Sequence, residues 1–60
     1  MIFNELFGRF LSEKGDITRA EAAEWVKKAD ENASPLHAEL VKAKILSEEG
    51  AYIALAEYLG

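Results

Sequence analysis

Shifted by 29 residues, this chain falls back onto its own pattern. Phe7 lands on Leu36, Leu11 on Leu40, Ile17 on Leu46, Thr18 on Ser47, Ala22 on Ala51 and Val26 on Leu55. Apolar positions meet apolar positions, and helix-start positions meet helix-start positions, in order. Exact identities are few, so the match is one of pattern: a duplicated helix–turn–helix unit explains it, and two unrelated helical hairpins could also share it.

Helical spacing runs through both copies. Ile2, Phe3, Leu6, Phe7, Phe10 and Leu11 recur at three- and four-residue intervals as one wide apolar stripe, with Asn4, Glu5, Arg9, Glu13 and Lys14 on the other face. Gly15 then stands where a helix commonly stops, because glycine tolerates the left-handed backbone there. Thr18-Arg19-Ala20-Glu21 has the form of a capping box, and Ile17 before it is placed to staple onto Ala22. The helix that follows should turn Ala22, Trp25, Val26 and Ala29 inward. Asn32-Ala33-Ser34 reads as a short connection, with Ser34 as the next cap and Pro35 at the first helical position. Leu36, Leu40 and Val41 point to the core. From Pro35 the pattern forks. One reading continues a single helix to Glu49; the other stops near Lys44 and restarts at Ser47, with Leu46 and Ala51 as its staple. The repeat favours the restart. No alternating run of β-branched residues and no Asn-Gly or Asp-Gly turn marks a strand.

The expected fold is therefore all-α: four short helices near 2–14, 19–31, 35–44 and 48–59, paired as two tandem hairpins in one small bundle. Leu6, Phe10, Leu11, Ile17, Val26, Leu36, Leu40, Leu46 and Leu55 should form its core. Residues 1–60 make a single domain, since a chain this short buries only about 60% of the surface it exposes when unfolded. Met1 is expected to be a genuine start, while Gly60 reads as a truncation point.

Composition removes several functions. With 50% apolar and 30% charged residues the chain is globular in type. It has no cysteine, so disulfides, thiolate metal sites and a cysteine nucleophile are excluded. No apolar run is long enough to span a membrane, and no basic start with an apolar stretch marks a secretory leader, so a cytoplasmic address is expected. The net charge is −4, and each basic residue lies close to an acidic neighbour, which argues against a phosphate backbone as partner. A small helix–turn–helix DNA binder is the reading this charge pattern disfavours: Glu21, Glu24 and Glu31 share a helix with Lys27 and Lys28.

Two segments resemble a known family. From Phe7 to Thr18 the chain is similar to an L-G-x-x-L-x-x-x-G-x-I-T pattern, carried by Phe7, Gly8, Leu11, Gly15, Ile17 and Thr18. Pro35 to Glu49 looks like its second copy, and Ala54-Leu55-Ala56-Glu57-Tyr58-Leu59-Gly60 resembles A-L-A-E-Q-L-G. This is the pattern of the N-terminal domain of type II secretion and type IV pilus assembly ATPases, a bacterial family. The resemblance implies a small helical regulatory or docking module. In some members it contacts an inner-membrane platform protein; in others the two tandem copies bind cyclic di-GMP. It places Phe7, Gly8, Leu36 and His37 at the ligand-binding positions. Here Leu6 stands where an arginine is usual, His37 at the second glycine, Lys44 at the glycine ending the second copy's first helix, and Ala29 and Tyr58 where glutamines are common. Docking needs a surface and not those particular residues. A protein partner, such as a secretion or pilus platform component, is thus the leading expectation, and cyclic di-GMP sensing is the alternative.

No catalytic residue is expected. Glu21, Glu24, Glu48 and Glu49 fall in the opening turns of helices, where carboxylates stabilise the dipole. No phosphate loop, dinucleotide fingerprint or nucleophile motif is present. His37, the only histidine, has no partners at metal-ligand spacing, so neither a metal nor a cofactor is expected. Ile2, Phe3 and Trp25 are candidates for a partner interface, because large aromatic and aliphatic side chains beyond the needs of a small core serve as anchors.

Overall fold

The computed structural model describes residues 2–60. Four helices follow in order: α1 (Ile2–Lys14), α2 (Arg19–Glu31), α3 (Leu36–Lys42) and α4 (Glu48–Leu59). No strand occurs among the described residues. The bundle measures 26 × 20 × 19 Å.

The caps explain the boundaries. Thr18 Oγ1 accepts from the Glu21 N–H at 3.0 Å, and the Glu21 carboxylate accepts from the Thr18 N–H at 2.9 Å, a complete capping box. Ser47 Oγ accepts from the Gly50 N–H at 2.9 Å at the start of α4. The fork after Pro35 resolves into the restart, and the two turns match. The Asp16 N–H donates to the Leu11 carbonyl at 3.0 Å, and the Ile45 N–H donates to the Leu40 carbonyl at 3.0 Å. Both bonds close a helix end through a residue at positive φ, Gly15 at 90° and Lys44 at 62°. Helix α2 ends in the same way, with the Ser34 N–H on the Ala29 carbonyl at 2.9 Å and Ala33 at φ 52°.

The start of α3 differs from expectation. Pro35, with φ −71° and ψ 146°, sits outside the helix at the capping position and offers no side-chain acceptor. Ser34 does not cap; its hydroxyl donates to Glu39 Oε2 at 2.8 Å. The cap comes from another helix. Asn4 Oδ1 accepts from the Leu36 N–H at 2.9 Å, while its Nδ2 donates to Asp30 Oδ1 at 2.9 Å and to the Ser34 carbonyl at 3.1 Å. The end of α3 also falls short of Lys44, at Lys42.

The core is built from Phe7, Leu11, Ile17, Ala22, Ala29, Leu36, Leu40 and Ala54. Ala51 is buried as well. Phe10, Val26, Leu46 and Leu55 pack against this cluster but are only partly buried. Leu6 departs further from the expected core: it is 44% exposed. Asn4, expected on the outer face, is buried. The reason is angular. Residues 4, 7, 8 and 11 complete one i, i+3, i+4, i+7 face, and that narrower face is the one α1 turns inward. Leu6 lies off it.

Helix α1 packs along α2 most extensively, and α2 carries α3. Helix α4 is held to α1 by aromatic rings. The Tyr58 ring meets Phe3, Phe7 and Phe10 edge-on, with centroids at 5.8, 5.6 and 5.3 Å. Lys14 adds hydrogen-bonded ion pairing to Glu57 on α4 and lies 3.4 Å from Asp16. The Glu57 contact, followed by Asp16, raises the Lys14 pKa above its ordinary value. No helix among the described residues is long and apolar enough to cross a membrane.

Candidate functional site

Gly8 decides how closely the first hairpin closes. A Cβ there would lie 2.8 Å from Val26 Cγ2 and 3.3 Å from Leu36 Cδ2. The missing side chain is what lets α1 press onto α2 at this crossing. Above the crossing, an open groove of about 570 Å³ runs between α1 and α2. Gly8, Ser12, Ala22 and Val26 line it together with Glu5, Arg9, Glu13, Arg19 and Ala23.

A second groove, of about 390 Å³, lies between α3 and α4. Its lining is the first groove's lining moved on by 29 residues. Gly8, Ser12, Ala22 and Val26 become His37, Val41, Ala51 and Leu55; Arg9, Glu13, Arg19 and Ala23 become Ala38, Lys42, Glu48 and Tyr52. The two grooves occupy corresponding positions of the two hairpins, and their chemistry differs. The first is polar, with two guanidinium groups, two carboxylates and a hydroxyl. In the second, arginine has become alanine, serine has become valine and alanine has become tyrosine, and both remaining charged positions have changed sign.

His37 is central to the difference. It stands where Gly8 stands in the first copy, and it is half-buried. Helix α3 is shorter than α1, and α3 and α4 touch much less than α1 and α2 do. The His37 Nδ1 atom is buried without a hydrogen-bond partner among the described residues.

The sequence-derived sites therefore sort as follows. Phe7 and Leu36 are fully buried, and their side chains belong to the core. Gly8 is buried but borders the first groove, and His37 borders the second, so the four positions do not converge on one pocket. Ile2 and Phe3 are exposed, at 76% and 39%. Trp25 is half-buried against the core, and the Lys28 ammonium sits 4.4 Å from its ring centroid. Lys28 also pairs with Glu24 at 3.4 Å, which draws its charge back into the α2 surface. Among the described residues no group of three His, Asp or Glu side chains is placed to hold a metal ion.

Two features escaped sequence reasoning. Asn4 was visible in principle, because residues 4, 7, 8 and 11 share one helical face. The Glu39 carboxylate gathers the α2–α3 turn by accepting from Ser34 Oγ at 2.8 Å and from Asn32 Nδ2 at 3.2 Å. Those two donors, Ser34 foremost, hold its pKa below the ordinary glutamate value. No local motif signals that arrangement, since the turn itself brings the three residues together.

No family model, curated protein or solved structure matches the chain.

Proposed function

We propose that this chain is a non-catalytic docking module that presents a helical surface to a partner protein. The observation that carries the reading is apolar surface left outside a filled core. Ile2, Phe3 and Leu6 project from the start of α1 although the bundle is closed by Phe7, Leu11, Leu36 and Leu40 beneath them. A patch of this kind on a small domain favours association with another apolar surface. The resemblance to the N-terminal domain of secretion and pilus assembly ATPases supports the same role. It suggests a cytoplasmic face and an inner-membrane platform protein as partner. The test is titration of the isotope-labelled chain with the cytoplasmic fragment of such a platform protein. Shifts centred on Ile2, Phe3 and Leu6 are expected. An unchanged spectrum at high fragment concentration counts against that partner.

Cyclic di-GMP binding is the second reading. The family resemblance suggests it, and Arg9 and Arg19 border the first groove, where guanidinium groups can meet a phosphate; the second groove offers no arginine. Calorimetry with cyclic di-GMP decides it, and absence of heat at millimolar ligand removes it.

A further inference from the structure

We propose that the groove between α3 and α4 is a self-association surface, on which two copies of this chain meet about a two-fold axis. Each copy inserts Tyr52 into the other's groove, and Lys42 of each pairs with Glu48 of the other. The inference is independent of the docking role assigned to the start of α1.

The groove of the first hairpin is the comparison. Where it carries Arg9, Ser12 and Ala23, the α3–α4 groove carries Ala38, Val41 and Tyr52. Tyr52 is 73% exposed, so the ring stands out of the surface beside an apolar trough. Burying one tyrosine removes about 150–250 Å² from water. A face that carries both a knob and a hole is self-complementary, which is the requirement of a two-fold contact.

Charge points to the same occupant. The chain carries a net −4, so two copies repel unless opposite charges meet at the contact. The groove offers one of each sign, Lys42 on α3 and Glu48 on α4. Neither is in a close ion pair among the described residues, where the pairs use Lys14 and Lys28; Lys42 feels Glu39 on its own helix only through a longer-range attraction. A two-fold axis turns one Lys42–Glu48 set into two reciprocal pairs. The area available is at the small end of specific interfaces, below about 1,200 Å² in total, so the dimer should be weak, with a dissociation constant on the order of 100 µM.

Sedimentation equilibrium of the whole chain, from about 10 µM to about 1 mM at low salt, tests the proposal. The weight-average mass should rise toward twice the monomer and no further. Tyr52→Glu should hold the chain at monomer mass with its helical circular dichroism intact. Lys42→Glu should weaken association about tenfold, and Lys42→Glu with Glu48→Lys should restore it. Monomer mass throughout overturns the proposal. So does growth past the dimer, which means a head-to-tail contact, or association that Tyr52→Glu leaves unchanged. Failure of the charge swap to restore what Lys42→Glu removes overturns the reciprocal pairing.

Discussion

The side-chain oxygen of Asn4 accepts the backbone N–H of Leu36 at 2.9 Å, across 32 residues of chain. Through this bond the first helix caps the third. Pro35 offers no acceptor of its own, so the opening of α3 depends on tertiary contact with α1. The same carboxamide also donates to Asp30 and to the Ser34 carbonyl, which fastens the α2–α3 turn onto α1.

Asn4→Leu should therefore destabilise the domain by about 3 kcal/mol, although leucine matches the apolar face around it. The substitution strands a buried Leu36 N–H and removes the partner of Ser34. Urea denaturation followed by far-UV circular dichroism measures the loss. A change under about 0.5 kcal/mol would show that solvent reaches the α3 terminus and replaces the cap.

Gly8→Ala places a methyl group 2.8 Å from Val26 Cγ2, where nothing yields without moving a helix or a side chain. Overpacking costs about 1–3 kcal/mol. The gain in helix propensity offsets about 1 kcal/mol of that. The net expectation runs from no change to a loss of about 2 kcal/mol. Repeating the change in a Val26→Ala background should recover part of it, and a double-mutant cycle reads the coupling directly. Independent, additive effects would mean the α1–α2 crossing is looser than the geometry indicates.

Lys44→Gly should stabilise the chain by about 0.5–1 kcal/mol. Lys44 holds φ at 62°, a left-handed conformation that glycine adopts without strain and that its counterpart Gly15 adopts at 90°. The gain is partly offset by the greater freedom of glycine in the unfolded chain. Thermal melts of Lys44→Gly and Gly15→Ala should move in opposite directions.

Glu39 makes part of the stability acid-sensitive. Its pKa is lowered in the folded state, first by the Ser34 hydroxyl and then by the Asn32 amide. A carboxylate of lowered pKa stabilises fully above its unfolded value, about 4.3, and loses that contribution as pH falls through the folded value. Glu39→Gln keeps the shape and removes the titration. The melting temperatures of the two proteins should differ at neutral pH and converge in acid. A gap that stays constant between pH 7 and pH 2, as rough limits of the scan, would place the contribution elsewhere.

What local chemistry dictates could be read without coordinates. The capping box at Thr18 and Glu21, the stop at Gly15 and the cap at Ser47 each involve residues within one turn of each other, so a single stretch of sequence contains the whole interaction. The repeat added the position of the break in the second hairpin, because Lys44 had to do what Gly15 does. On α1 the apolar stripe is wider than the buried face, which excludes Leu6 and includes Asn4. Periodicity reports which residues share a face, and polarity alone gave no hint that an amide would be needed inside.

The sequence by itself determined that this protein is a pair of capped helical hairpins, since caps, stops and helical spacing act over a few residues. Only the tertiary structure decided that Asn4 starts α3, that Gly8 sets the closeness of α1 to α2, and that the corresponding grooves of the two hairpins carry different linings. Those features depend on residues far apart in the chain, such as Asn4 and Leu36 or Gly8 and Val26, meeting at helix crossings, and no local rule specifies where a crossing falls.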